Sequence, residues 1–402
     1  MNRINFSKLG PGLLFAGAAI GVSHLVQSTR AGAEYGWGLV WALLLINLLK
    51  YPFFQYGPRY AQATGETLLD GYYKLGKGYL WGFFVLSLGT MFTIQSAVTV
   101  VTAGLASKLF GITNNIITWS VVITILCTLL LILGRYNWLD KIIKVIMVVL
   151  ALSSVIAVSI AFYNNDQPLL LKQVFPHETG MLFFIAFLGW MPAPLDISIW
   201  HSIWTLEKNK TKKTTLQESL FDFNVGYIAT VILALCFIGL GALVMYGTAT
   251  SFSNQGGEFA EQLIQLYTFS LGDAAYLLIA IAAFTTMLST TITTLDASPR
   301  AMAKTLQLLF KHDKNLYLPW IIILSVGTSC IFLFLLSEMG QLVQIATVLS
   351  FITAPLYAIL NLKLVISKEM PKEHQPKRTL LILSLIGILF LTGFSLFYLV
   401  SL

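Results

Sequence analysis

The stretch Met191–Asp196, with the sequence Met-Pro-Ala-Pro-Leu-Asp, interrupts a long apolar segment of the chain. Two prolines so close together remove backbone hydrogen bonds and oppose a continuous helix. An earlier apolar segment is interrupted by Gly21–His24, with the sequence Gly-Val-Ser-His, shortly after Gly17. Irregular backbone at membrane depth is tolerated only where protein or a water-filled cavity satisfies its polar groups. Both stretches therefore predict a membrane helix that is broken at a binding site.

The composition around these breaks is that of a membrane protein. Of the 402 residues, 56% are apolar and only 11% are charged, whereas about 25% of the residues in an average soluble domain are charged. Apolar runs of roughly 20 residues, the length that a bilayer core requires, recur along the chain. The first run has no small-residue cleavage site, so it is interpreted as a membrane span and not as a signal peptide.

We predict an all-α polytopic membrane protein with about eleven membrane-spanning helices. The breaks fall in the first and sixth spans, which is the arrangement of a five-plus-five inverted repeat with discontinuous helices at equivalent positions. A single transmembrane domain, 1–402, would then contain repeats at about 11–163 and 180–364 and an extra helix at 379–400. Ordinary kinks are the alternative, since glycine and proline are common in membrane helices. The predicted spans are 11–33, 37–64, 80–107, 114–133, 138–163, 180–206, 225–249, 274–298, 316–337, 340–364 and 379–400.

The basic residues predict the orientation of these spans. With the N-terminus placed in the cytoplasm, nearly all of the 25 lysine and arginine residues fall on the cytoplasmic side. Only Lys108 and Lys172 lie on the outer side, and Arg30 and Lys50 fall inside spans. This asymmetry predicts a multi-pass protein of the cell inner (plasma) membrane, and it explains the net charge of +7 without a nucleic-acid partner. The amphipathic outer segment Glu258–Phe269 predicts a short surface helix or lid.

The residues around both breaks resemble those of a known transporter family. Gly10-Pro11, Arg30–Ala33 (Arg-Ala-Gly-Ala), Tyr35-Gly36 and Trp41 are similar to the first-helix frame of the NRAMP divalent-metal transporters. Met191-Pro192 is similar to the start of that family's Met-Pro-His motif in the sixth helix. The resemblance covers most of the chain, and it implies a LeuT-like fold with alternating access.

The metal-binding residues of that family are mostly absent from this sequence. The family's Asp-Pro-Gly-Asn motif aligns with Gly21–His24, so that Gly21 replaces the aspartate and His24 the asparagine. Ala193 replaces the histidine of Met-Pro-His, and only the thioether of Met191 is kept. The resemblance therefore implies the fold of a metal transporter without its metal ligands.

A helix break that has lost its acidic residue favours an anion. The N–H groups at the start of the second half-helix form the positive end of a dipole, and discontinuous transporters hold substrate carboxylates at such ends. We therefore predict a substrate site for a bicarbonate-like oxyanion or a small carboxylate. The candidate substrate-binding residues are Gly21, Val22, Ser23, His24, Gln95, Met191, Pro192, Ala193 and Asp196.

Several of these polar residues also have a structural interpretation. Ser23 would cap the second half of helix one, and Asp196 the second half of helix six. His24 would be an interior histidine that is hydrogen-bonded to a neighbouring helix. Arg30 would pair with Glu34 on its own helix instead of steering anions.

The eighth span suggests the coupling ion. Its run Ser289–Thr294 is rich in hydroxyl groups, and in LeuT-like folds such groups join carbonyls of the first helix in a sodium site. The resemblance therefore implies sodium coupling through Ser289, Thr290 or Thr293 and carbonyls near Ala18 and Gly21. Helix packing by small residues is the structural alternative, and proton coupling through His24 or Asp196 is the competing mechanism. No other cofactor is expected.

Two other functions compete with anion symport. The first is transport of a divalent cation such as Mn, Fe or Mg through a rebuilt site of Met191, His24 and Asp196. The second is a membrane enzyme or receptor, but the sequence has no HExxH, G-x-S-x-G or P-loop motif, so no enzyme is predicted. The expected partners are a small ionic substrate and the lipid bilayer, and a monomer is expected.

Overall fold

The computed structural model describes residues 10–134, 136–165, 172–177, 179–248, 251–312, 314–335 and 338–401, and for 136–147, 179 and 401 it describes the backbone alone. The predicted cytoplasmic N-terminus and the predicted span ends at 249 and 337 lie outside these residues. The described part of the chain is almost entirely helical and contains no strand. The α-helices are α1 Pro11–Ala19, α2 Thr29–Tyr35, α3 Val40–Thr64, α4 Leu68–Leu75, α5 Lys77–Phe110, α6 Ile116–Ile132, α7 Tyr136–Tyr163, α8 Thr179–Trp190, α9 Ile197–Thr211, α10 Leu216–Val244, α11 Gly256–Leu271, α12 Tyr276–Phe310, α13 Tyr317–Cys330, α14 Met339–Val365 and α15 Arg378–Ser401.

Several of these helices are membrane spans by length and hydropathy. Among the described residues, 6 helices meet this test alone, namely α5, α10, α12, α13, α14 and α15 with their short flanking turns. The pair α1 and α2, joined by a π-helical turn at Ser23–Ser28, passes together and bends by 47° at the break. The eleven predicted spans correspond in order to α1–α2, α3, α5, α6, α7, α8–α9, α10, α12, α13, α14 and α15. The prediction of an all-α fold with broken helices one and six is confirmed.

Two helices extend well beyond the spans predicted for them. Helix α10 begins at Leu216 and not near 225, because Thr215 and Glu218 form a capping box in which each side chain accepts the other residue's N–H, at 3.0 and 3.3 Å. Helix α12 does not end at 298, since it continues through Pro299 to Phe310. Neighbouring groups can satisfy the carbonyl that a proline frees in a membrane helix, so a proline does not have to end it.

The predicted amphipathic segment is the helix α11, so the prediction of a short helix there is confirmed. Its apolar face, including Phe259, Leu263 and Tyr267, is buried against α5 and α7.

The packing of the long helices brings the two breaks together. The most extensive contacts are those of α12 with α5, of α10 with α1 and α2, of α3 with α9 and of α14 with α8. Each half of helix one and each half of helix six is therefore held by a continuous neighbour. The interrupted backbone lies between these neighbours, at the centre of the molecule.

Candidate functional site

The two helix breaks enclose a small central cavity. Its volume is about 20 Å³, room for about one water molecule, so this conformation is closed around the site. No Asp, Glu, Lys or Arg lies in its described walls. The walls consist of Ala18, Ala19, Val22 and Ser23 from helix one, Ile94 and Val98 from α5, Trp190, Ala193, Pro194, Ile197 and Trp200 from helix six, and Thr290 and Thr294 from α12.

Helix one resumes at Gly21. The Gly21 carbonyl accepts the N–H groups of His24 and Leu25 at 3.1 and 2.9 Å. The first N–H groups of a helix have no partner within that helix, and Val22 and Ser23, which precede His24 in this turn, line the cavity. A Cβ atom on Gly21 would lie 2.9 Å from the side chain of Thr290. The Thr290 hydroxyl in turn donates to the Gly17 carbonyl at 3.2 Å, so α12 touches both sides of the break.

Ser23 and His24 form a hydrogen-bond network that leads away from the cavity. His24 Nε2 lies 2.9 Å from the carbonyl of Thr230 on α10, and because a carbonyl only accepts, this nitrogen carries a hydrogen. Ser23 Oγ donates to the Ala19 carbonyl at 2.6 Å and lies 2.7 Å from His24 Nδ1. His24 is therefore the interior histidine of the structural interpretation. The interpretation of Ser23 as a helix cap is wrong, since its hydroxyl bonds a carbonyl of α1 and caps no N–H group.

The break in helix six is supported by a residue that the sequence analysis did not assign to the site. Lys50 on α3 is fully buried, and its Nζ donates to the carbonyls of Leu188 and Gly189, each at 2.7 Å. These carbonyls close the first half of helix six and lose their helical partners at the break. The sequence signal for this role is a lysine in the middle of an apolar span. From that position it can reach the helix that the prolines break.

Asp196 makes no standard capping hydrogen bond at the second half of helix six. Its carboxyl group does interact with the backbone N–H groups of Ile197 and of Asp196 itself, whereas its Oδ1 atom is buried with no hydrogen-bond partner. Asp196 lines a second small cavity that shares Trp200 with the central one.

The remaining predicted residues are divided between the cavity and its surroundings. Val22, Ser23 and Ala193 line the central cavity, as do Ala18 and Thr290 of the proposed sodium set. Gln95 does not line it, because its amide bridges α5 to α12 by accepting from Thr294 at 2.6 Å and donating to the Thr291 carbonyl at 3.3 Å. The other predicted residues outside the described lining are Gly21, His24, Met191, Pro192, Asp196, Ser289 and Thr293.

Arg30 lies in a separate polar cavity of about 200 Å³, next to Gln27. Its Nε atom is 3.5 Å from Glu34 Oε1, which confirms the expected pairing on one helix. The two tryptophans of the central cavity, Trp190 and Trp200, were missed because an indole inside an apolar helix carries no sequence signal of its direction.

The proposed metal ligands have three different surroundings. Met191 Sδ accepts from Ser28 Oγ at 3.5 Å, His24 bonds Thr230, and Asp196 faces its own cavity. Within the described ranges, no three His, Cys, Asp or Glu side chains come together as a group that could hold a metal ion.

Two broken helices that meet at one site in a helical membrane protein are the arrangement of the LeuT-like fold. Residues 12–401 match the family model described as natural resistance-associated macrophage protein-like, Nramp. The chain belongs to this family, and the resemblance noted in the sequence is confirmed.

One sequence relative and two solved structures are similar to this chain over most of its length. An uncharacterised protein of Pasteurella multocida (strain Pm70) is 39% identical over 402 residues, covering 98% of this chain and 92% of that protein. The manganese transporter of Eremococcus coleocola, solved in complex with an aromatic bis-isothiourea substituted compound, has a TM-score of 0.72 at 15% identity, covering 98% of this chain and 86% of that one. Mhp1, a nucleobase-cation-symport-1 family transporter with bromovinylhydantoin bound, has a TM-score of 0.63 at 12% identity, covering 99% and 94%. At these identities the two structures show the fold alone.

Proposed function

We propose that this Nramp-family transporter is a secondary active symporter that carries a small carboxylate anion with sodium through the central cavity. One observation supports this most directly. The described walls of the cavity contain no acidic side chain, but they do contain the first turn of the half-helix that follows Gly21. A divalent cation requires anionic or strongly dipolar ligands, and an unneutralised charge in a low-dielectric cavity is costly. N–H groups at a helix start favour an anion.

The cavity walls favour a carboxylate with an apolar body over bicarbonate. Trp190, Trp200, Ile94 and Val98 give most of the wall an apolar character. Bicarbonate is polar on every side and would leave these surfaces without a matching partner. A small monocarboxylate can place its charged end at the helix break and its apolar part between the indole rings.

The contact between α1 and α12 supports sodium as the coupling ion. The Thr290 hydroxyl and the Gly17 carbonyl are 3.2 Å apart, and the Thr286 hydroxyl one turn away is buried without a hydrogen-bond partner. Hydroxyl and carbonyl oxygens suit a hard monovalent cation without a carboxylate. The positive charge of the ion would also partly neutralise the anion.

Transport by purified protein in liposomes tests this proposal. We expect a sodium gradient to drive uptake of at least one labelled small monocarboxylate, and we expect no uptake of Mn²⁺. Trp190→Ala should reduce the uptake, and the matched control Trp81→Ala, at an exposed position on α5, should not. Uptake of Mn²⁺ that is lost in Met191→Ala would overturn the proposal in favour of a rebuilt metal site.

A further inference from the structure

The cavity that contains Asp196 lies beside the central one and is smaller. Its volume is about 10 Å³, enough for about one water-sized sphere. Asp196 is 7% exposed, and its Oδ1 atom is buried without a hydrogen-bond partner. Three hydroxyl-bearing residues, Ser87, Thr90 and Ser298, line the same cavity.

The described walls hold no basic side chain that neutralises this carboxylate, which interacts with the backbone N–H groups of Ile197 and Asp196. No lysine, arginine or histidine lines the cavity. Tyr357 on α14 is the other titratable group nearby, and its hydroxyl lies 3.4 Å from Ser87 Oγ. An ionised carboxylate inside a membrane protein without a cation is costly. A proton on the carboxyl group would also remove the charge, and the experiment below distinguishes that case from a bound cation.

The hydrogen bonds of these residues leave hydroxyl oxygens that can still accept. Thr90 Oγ1 donates its hydrogen to the Leu86 carbonyl at 3.1 Å, and Ser87 shares a hydrogen bond with Tyr357. One carboxylate oxygen and several hydroxyl oxygens match the ligands of a monovalent cation that has lost its water shell. A divalent ion would require more negative charge than this single carboxylate supplies.

We propose that Asp196, with Ser87, Thr90 and Ser298, forms a sodium-ion site that is separate from the substrate cavity and from the Thr290 contact. Trp200 lines both cavities, so an ion beside Asp196 acts on the wall against which the substrate packs. The role of this ion in coupling rests on the proposed function, whereas the binding of sodium at this site does not depend on it.

Binding of ²²Na⁺ to the purified full-length protein, without any anion, tests the site. Asp196→Asn keeps the shape of the side chain and removes its charge, and it should weaken one component of sodium binding by roughly tenfold or more. Asp273→Asn, at an exposed carboxylate, is the matched control and should bind sodium as the original protein does. Thr290→Val should leave the Asp196 component in place.

A second measurement, of tryptophan fluorescence, distinguishes loss of the sodium site from misfolding of a variant. Sodium should change the tryptophan fluorescence of the original protein, and the change should be lost in Trp200→Phe and in Ser298→Ala. A sodium titration that is unchanged in Asp196→Asn, with the variant folded, would overturn the site, including the case in which the carboxyl group only binds a proton. Because no anion is present, failure here is distinguishable from failure of anion transport.

Discussion

Gly21 is the residue at which the proposed anion site can be tested most directly. Its Cβ position lies 2.9 Å from Thr290 Cγ2 and Oγ1, and threonine is a short, β-branched residue with few χ1 rotamers by which it could move away. We expect Gly21→Ala to reduce uptake and Thr290→Ala, added to it, to restore part of the loss. Gly21→Asp should stay inactive even with Thr290→Ala, because its charge opposes an anion at the helix break.

The Thr290→Ala single variant is the control for this series, since it removes a proposed sodium ligand. Its own uptake sets the level that the double variant can reach. Full uptake by the Gly21→Asp, Thr290→Ala protein would mean that the proposed anion site lies elsewhere.

Lys50 permits a prediction about stability. Replacing it by methionine leaves the Leu188 and Gly189 carbonyls without their donor, and an unsatisfied buried group costs about 1–3 kcal/mol. Lys50→Met should therefore lower the thermal unfolding temperature in detergent, whereas Lys368→Met, at an exposed lysine, should leave it unchanged. A higher unfolding temperature in Lys50→Met would show that burial of the ammonium group costs more than its two hydrogen bonds return.

The sequence shows which residues are chemically unusual, but it is a less reliable guide to the direction of their side chains in the folded protein. Gly21 and the prolines of helix six were recognised because they break a helix in any context. The direction of the Asp196 carboxylate and the bridging role of Gln95 depend on neighbours that are more than a hundred positions away along the chain, such as Ser298 and Thr294. No local pattern contains that information.

Helix α10 is the element that holds the two halves of helix one in place. A Cβ on Gly241 would lie 2.2 Å from the Thr29 carbonyl oxygen, and one on Gly32 would lie 2.1 Å from the Ile238 carbonyl oxygen. Because both neighbours are backbone, Gly241→Ala must separate α2 from α10, and overpacking of this kind costs about 1–3 kcal/mol. We expect a lower yield of monodisperse protein by size-exclusion chromatography and a lower unfolding temperature.

Gly89→Ala is the matched control for this prediction. Gly89 also lies inside a long helix, α5, but its Cβ position has nothing within 4 Å. Alanine there should be neutral or stabilise the helix by up to about 1 kcal/mol. Equal behaviour of the two variants would contradict the close contact of α2 with α10.

The helices themselves were predictable because a bilayer demands long apolar segments, and this demand acts on each span independently. The residues at which the helices begin and end were less predictable. The extension of α10 back to Leu216 depends on the Thr215 and Glu218 capping box, a signal that hydropathy does not contain. The passage of α12 through Pro299 depends on neighbouring groups, which the sequence of one helix does not specify.

The whole molecule has a closed site between two larger polar cavities. One, of about 460 Å³, contains Asp70, Lys210 and Lys304, and it lies at the end of the molecule that is predicted to be basic and cytoplasmic. Lys304 Nζ lies 2.8 Å from Asp70 Oδ1 there, which ties α12 to α4. The other cavity contains Gln27 and Arg30 and lies beyond the opposite side of the breaks. This arrangement supports alternating access, in which either cavity in turn opens to the central site.

The basic residues predict how the molecule is oriented in the membrane. If the basic end faces the cytoplasm, a cysteine at Gln255, which is exposed at the start of α11, should react in intact cells with a membrane-impermeant maleimide. A cysteine at Lys213, exposed in the turn between α9 and α10, should react only after the cells are permeabilised. The background must lack Cys127, Cys236 and Cys330, of which Cys330 is exposed. Labelling of Lys213→Cys alone in intact cells would invert the proposed orientation, and with it the side from which the Arg30 cavity receives the substrate.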